Sequence, residues 1–277
     1  MDDDAIEELE IGLLLQALRQ AYGIDFGDYA DASLGRRLRH WLAASGFATF
    51  SQAQERVLRD RQQLDSLVQG ITVNVTEMFR DPAFFLALRE NVIPFLKTYP
   101  FINIWHAGCA SGEEAYSMAI LLHEAGLGGR YRMLATDINQ AVLARAREGI
   151  FPLKSMQLFT RNYQRGGGSA SFADYYTARY ERAIMMAPLR ENLVFAHHDL
   201  VTDGEMAGMN LILCRNVMIY FKTVLRERCL DRFDASLLPG GFLCLGTKER
   251  LGGSRIAPRY DELAARLSIY RKHYAQP

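Results

Sequence analysis

From Phe101 onward the chain alternates short apolar runs of β type with helical runs, and this alternation constrains the fold more than any other feature. "FINIWHAG" leads into small residues from Ala107 to Ser111, then Gly112 and the helical "EEAYSMAILL". "YRMLATDINQAVLARARE" repeats strand, turn and helix. "LVFAHHDL", "MNLILCRNVMIYF" and "GGFLCLGT" are further apolar runs. The helical "VLRERCLDRFDASLLPGG" separates the last two, and "LSIYRKHY" reads as a final strand. Such alternation predicts an α/β fold: a mostly parallel sheet with helices on both faces.

The first seventy residues read differently. Ile6, Leu9, Leu13, Leu14 and Leu18 fall at helical spacing, and Gly23 can close that helix. "DASLGRRLRHWLAASG" offers Asp31 or Ser33 as a cap and Gly46 as a stop. "TFSQAQERVLRDRQQLDSLVQG" reads as one or two more helices ending near Gly70. A small all-helical unit over 1–70 is expected, followed by a linker over 71–100 in which Asp81-Pro82 can cap and start a helix. "RGGGSASFADYYTARYERAIMMAPLRENLVF" fits neither rhythm. It reads as a flexible Gly/Ser tract followed by a hairpin pairing 180–186 with 192–195.

At 277 residues, the chain is long enough for one large domain or two smaller ones. Its 32 basic side chains balance 32 acidic ones, which argues against a protein that holds nucleic acid along its length. The four cysteines form no C-x-x-C pair and read as reduced thiols. The acidic start is unlike a leader peptide, and no apolar run approaches the roughly 18 residues of a membrane span. A soluble, cytoplasmic protein is expected.

A strand, a thin loop and a helix form the usual cradle for a nucleotide-like ligand. Here the loop reads Gly108-x-Ala110-x-Gly112. Asp137 ends the next strand, where an acidic residue accepts hydrogen bonds from a ribose diol; it can equally cap the following helix. Glu113 and Glu114 open the first helix. Carboxylates there repel a pyrophosphate and favour a cationic ligand such as the sulfonium of S-adenosylmethionine, with Glu113 the expected contact. Both could instead merely favour the helix dipole.

"NVTEMFRD", "GCASGEEAYSMA", "ATDIN" and "CRNVMIYF", in that order, resemble the chemotaxis receptor glutamate O-methyltransferases, the CheR family. The resemblance covers nearly the whole chain. It implies a receptor-docking helical domain over 1–70 and a linker over 71–100 that contributes to the active site. It implies a Rossmann-like class I methyltransferase domain over 101–277, with a seven-stranded sheet and a small inserted β-subdomain at about 175–195. Some members grip a receptor's C-terminal peptide with that subdomain. The implied cofactor is S-adenosylmethionine, leaving S-adenosylhomocysteine as product, and the implied partner is the cytoplasmic domain of a methyl-accepting chemoreceptor. Asn74, Thr76, Arg80, Gly108, Glu113, Asp137, Asp199, Leu200, Arg215 and Asn216 match cofactor-binding positions, and Tyr220 matches a tyrosine beside the reacting methyl. The basic trio Arg36, Arg37 and Arg39 would face the acidic methylation helices. A monomer without metal, nucleic acid or membrane insertion is expected. The sequence departs from the family at Val75, Ala110, Ala115 and Asp199, and in its long Gly/Ser tract.

An ionised glutamate acceptor needs no general base, only alignment with the methyl group. Arg80 could orient its carboxylate through a planar fork, or form an ordinary surface ion pair. Tyr220 could contact the methyl, or be a core aromatic. Cys214-Arg215-Asn216-Val217 lacks the Asn/Asp-Pro-Pro-aromatic turn common in amine methyltransferases. His197-His198-Asp199 lacks further metal ligands at useful spacing, and Cys109 reads as a small filler. Rival readings are a methyltransferase for RNA or small molecules, a nicotinamide oxidoreductase using the same Asp137, and a non-catalytic binding adaptor.

Overall fold

The computed structural model describes residues 2–27, 29, 31–72, 76–264 and 266–274. Four helices begin the chain: α1 (Asp3–Tyr22), α2 (Asp31–Ser45), α3 (Phe50–Arg59) and α4 (Arg61–Ile71). They share a core that includes Leu14, Leu38, Trp41, Phe50 and Leu67. Gly23 closes α1 in the left-handed region and donates its N–H to the Arg19 carbonyl, as expected of a glycine stop. Helix α4 ends at Ile71, beside Gly70 as expected. Gly70 itself lies inside the last turn, where a Cβ would come within 2.9 Å of Trp41, so close helix packing explains that glycine.

Helix α5 (Pro82–Asn91) and the single turn α6 (Ile93–Leu96) follow. Pro82 occupies the first turn, but Asp81 makes no cap bond; it sits at φ 55° and pairs with Arg215. The α/β part then runs β1 (Ile102–Ala107), α7 (Glu113–Glu124), β2 (Tyr131–Asp137), α8 (Gln140–Glu148), β3 (Ile150–Pro152), α9 (Met156–Arg165), β4 (Tyr176–Arg179), β5 (Arg182–Met185), α10 (Ala187–Arg190), β6 (Leu193–His197), β7 (Met209–Cys214), α11 (Thr223–Ser236), β8 (Leu237–Leu245), β9 (Tyr260–Ala264) and β10 (Ile269–Lys272).

Seven strands form one sheet in the order β6-β2-β1-β7-β8-β10-β9. The pairs from β6 to β8 are parallel, and β10 is antiparallel to both its neighbours. Alternate residues enter opposite layers: Ile102 and Ile104 join one core, Trp105 and Ala107 the other. A sheet buried on both faces explains why its strands read as continuous apolar runs. The chain leaves β1 for β2 on one side and reaches β7 on the other. The carboxyl ends of β1 and β7 therefore mark a topological switch point, where open α/β sheets bind ligands.

A second, antiparallel sheet has the order β3-β5-β4. The expected pairing of 180–186 with 192–195 is not the one formed. Residues 182–185 pair with β4 and β3, and β6 instead joins the edge of the main sheet against β2. Pro188 explains the difference: it lies in the first turn of α10, which separates β5 from β6 and keeps the chain from folding straight back. The Gly/Ser tract is also anchored. Gly168 lies so close to the Tyr163 ring that a Cβ would meet it at 2.2 Å, and Ala170 donates its N–H to the Tyr163 hydroxyl.

Candidate active site

One cavity opens at the carboxyl edge of the main sheet, and most of its lining follows directly from strand ends. Gly108, Cys109 and Ala110 follow β1, and Asp137 and Ile138 end and follow β2. His198, Asp199 and Leu200 follow β6, and residues 215–217 and 219–221 follow β7. Thr72, Thr76 and Arg80 enter from the linker, and Tyr29 and Arg37 from the helical unit. The cavity thus gathers Thr76, Arg80, Gly108, Asp137, Asp199, Leu200, Arg215, Asn216 and Tyr220 from the sequence-expected set. Asn74 lies outside the described residues.

The loop after β1 is tied down by backbone bonds. Gly108 and Cys109 both donate to the Thr136 carbonyl, at 2.8 and 2.9 Å. Gly108 has φ +77°, and a Cβ there would lie 2.4 Å from Val217 Cγ2. Its missing side chain lets the β1 and β7 loops touch. Asp137 fastens the loop from β2: its carboxylate accepts from the Ala110 N–H and the Asn139 N–H, each at 2.9 Å. The α8 cap is Asn139, whose side-chain oxygen accepts from Ala141 and Val142. Asp137 is therefore not that cap. Burial raises its pKa against these two donors.

The two glutamates are placed differently. Glu113 faces Ser111, whose hydroxyl donates to it at 2.8 Å, and it does not contribute to the cavity lining. Burial pushes its carboxyl up to about 7 despite that bond. Glu114, one residue or about 100° further round the helix, lines the cavity beside His106 and Arg215. Burial opposes its ionisation, but Arg215 and His106 outweigh it and hold the carboxyl down at about 2. His106 Nε2 is 3.1 Å from Glu114 Oε1. Arg215 bonds Glu114 through one terminal nitrogen and Asp81 through the other, at 2.7 Å, with its guanidinium 3.8 Å above the Phe84 ring.

Among the described residues the charged lining comprises Arg37, Arg80 and Arg215 against Glu114, Asp137 and Asp199. The carboxylates at the start of α7 leave no open anion site at that helix end. Three buried polar atoms beside the cavity lack protein partners: His106 Nδ1, His198 Nδ1 and Arg215 Nε. Buried polar groups are ordinarily satisfied, so these three stand out in the wall behind the cavity. His198 Nε2 lies 3.1 Å from the Gly204 carbonyl. That bond requires an Nε2 proton, which leaves Nδ1 as an acceptor in the neutral ring.

The β7 loop is held from below by Glu249, which sequence reading missed. One oxygen accepts from the Asn216 and Gly246 N–H groups at 2.8 and 2.7 Å, and the other from Ile219 at 3.1 Å. Asn216 and Ala110 both adopt positive φ, at 63° and 48°, the kind of backbone strain that collects at functional sites. Tyr29 and His106 were also missed, and Glu114 was named only as the less favoured of the two glutamates. Cys109 is buried and its thiol is pushed well above its ordinary value, first by desolvation, which suits a space-filler.

The basic trio does not form one face. Arg36 is exposed, and Arg39 is held 2.5 Å from Glu7. Arg37 turns inward, donates to the Ile71 carbonyl at 2.7 Å and lies 4.1 Å above the Tyr220 ring. Successive helical residues point about 100° apart, which places Arg37 against Ile71 and Tyr220 while Arg36 stays exposed. Among the described residues no group of three potential metal ligands gathers, and no helix is long and apolar enough to cross a membrane.

Comparison with known proteins agrees with this geometry. Residues 74–261 match the SAM-binding domain of CheR methyltransferases, and residues 9–72 match the all-alpha domain of the same family. Cher3 of Pseudomonas putida is 46% identical, over 98% of this chain and 100% of its own length. The chemotaxis protein methyltransferase of Listeria monocytogenes is 30% identical, over 85% of this chain and 88% of its own. That of Salmonella typhimurium is 28% identical, over 88% and 85%. With both family domains matched in order and S-adenosylmethionine as the cofactor they bind, the chain belongs to the CheR methyltransferase family.

Proposed function

We propose that this protein methylates glutamate side chains of chemoreceptor cytoplasmic domains, producing glutamyl methyl esters in a chemosensory pathway. The observation that carries this reading is the meeting of Arg80 and Tyr220 with the strand-end residues in one cavity. The chemotaxis protein methyltransferases named above support a substrate in chemotaxis, and the glutamate acceptor is what the family resemblance implies. S-adenosylmethionine supplies an electrophilic methyl group on a sulfonium.

The chain's own residues bind and align. Asp137 would accept from the ribose hydroxyls with its remaining lone pairs while fastening the β1 loop. Leu200 and Asp199 would flank the base, with Asp199 already turned toward the Val201 N–H at 2.7 Å. Arg215 pairs with both Glu114 and Asp81, so it ties the pocket floor together from two sides. Arg80 would hold the incoming carboxylate, and Tyr220 would stand beside the transferred methyl. The acceptor, with an ordinary carboxylic acid pKa near 4.3, is already ionised at pH 7. No general base is needed; rate comes from holding oxygen, carbon and sulfur in line.

Arg36, and Arg39 where Glu7 releases it, are the proposed receptor contacts on α2. Within the same reading the enzyme acts as a monomer in the cytoplasm, and the small sheet could hold a receptor's terminal peptide. The test is methyl-labelled cofactor incubated with receptor cytoplasmic fragments. Label released as methanol by mild alkali supports the ester. Alkali-stable label, or label found in RNA, contradicts it.

A further inference from the structure

The helical unit reaches into the cavity at one place, and there it grips the segment that carries Tyr220. Three contacts are made within three residues. Arg37 Cζ lies 4.1 Å from the Tyr220 ring centroid. Tyr29 forms an isolated antiparallel bridge with Phe221, and their rings meet edge to face at 5.0 Å. Lys222 Nζ donates to the Gly27 carbonyl at 3.2 Å. Arg37 is itself fixed, since its fork also donates to the Ile71 carbonyl where α4 ends. Tyr220 is thus held between Arg37 above and the Glu249-braced turn below.

We propose that Arg37 is a positioning residue for Tyr220, through which the helical unit sets the geometry of methyl transfer; this rests on the O-methyltransferase reading. A guanidinium over an aromatic face fixes the plane of the ring as well as its distance. The hydroxyl of Tyr220 is then aimed by a residue from the unit proposed to dock the receptor. Arg36, the next residue on the same helix, points to solvent. A receptor that shifts α2 would therefore move the Arg37 guanidinium and, with it, the ring it covers. The family resemblance put Arg37 on the docking face; the geometry points to a role inside the site.

Steady-state kinetics on a receptor fragment, with S-adenosylhomocysteine calorimetry, separate these roles. Arg37→Met should lower kcat about tenfold, as small misplacements at a reacting centre do, with receptor KM and product affinity changed less than about threefold. Arg37→Lys, which keeps a cation over the ring, should recover part of the loss. In a Tyr220→Leu background, Arg37→Met should cost almost nothing further, because contacting residues are not additive. The 19F resonance of 3-fluorotyrosine at position 220 should shift in Arg37→Met, whatever the turnover. A raised receptor KM with unchanged kcat, an additive double variant or an unmoved resonance overturns the proposal while leaving the methyltransferase reading intact. A wild-type protein that esterifies no receptor fragment overturns both.

Discussion

Single residues carry charge in this site under opposite constraints, and the adjacent Glu113 and Glu114 show it most clearly. Glu114 has its carboxyl held at about 2 by Arg215 and His106 against burial. A depressed folded pKa contributes stability above the unfolded value near 4.3, and that contribution is lost as pH falls toward about 2. Glu114→Gln should therefore cost on the order of 3 kcal/mol at pH 7, with the cost shrinking below pH 4. Glu113 is the reverse case: burial lifts it to about 7. A carboxyl raised in the folded state favours folding below its unfolded pKa and loses that advantage as pH climbs through the folded value. Glu113→Gln should raise the melting temperature by a few degrees at pH 8 and hardly change it at pH 5. Thermal melts of both variants across pH check the pair; parallel responses would contradict the assignment. Glu249 makes a third case. Glu249→Gln would set an amide N–H2 against backbone donors and should cost about 2–3 kcal/mol, read as a lower melting temperature together with reduced turnover.

At the scale of elements, the β1 and β7 loops work as a pair. Gly108→Ala would bring a Cβ to 2.4 Å from Val217 while straining a backbone at φ +77°. A loss of about 2–3 kcal/mol is expected from the combined clash and left-handed strain. Val217→Ala should restore the steric part only, so the double variant should melt between wild type and Gly108→Ala. A double variant no better than Gly108→Ala would place the clash elsewhere. These elements were well foreshadowed by the sequence, because hydrophobic period and glycine position are local signals. The strand-turn-helix around Ala107 to Gly112 and the strand ending at Asp137 are where their patterns put them. The tertiary consequences were not local. Gly70 gives no hint along the chain that Trp41 packs against it, and Leu193–His197 reads as half of a hairpin until β2 offers it a sheet edge. Asp81 is a natural cap by sequence, yet a buried arginine 134 residues away takes its carboxylate.

On the scale of the whole molecule, the cavity is a composite of sheet edge, linker and helical unit. The sheet's switch point fixes where a ligand sits, and that much follows from alternating strands and helices. The motif residues Arg80, Asp137, Arg215 and Tyr220 converge there as the resemblance implies. Two features that decide the chemistry of the walls depend on packing between units and could not be read along the chain. One is the inward turn of Arg37 onto Tyr220; the other is the Asp81–Arg215–Glu114 chain, which takes up the charge of Glu114 within the wall. Ligand choice therefore rests on shape and on placed donors and acceptors more than on net charge. Calorimetric titration with S-adenosylhomocysteine tests this most directly, with NAD as competitor and Asp137→Asn as the comparison. The account predicts one site per chain, at least tenfold weaker in Asp137→Asn through loss of an acceptor, and no heat with NAD. Equal binding of S-adenosylhomocysteine by wild type and Asp137→Asn, or preferential binding of NAD, would contradict it.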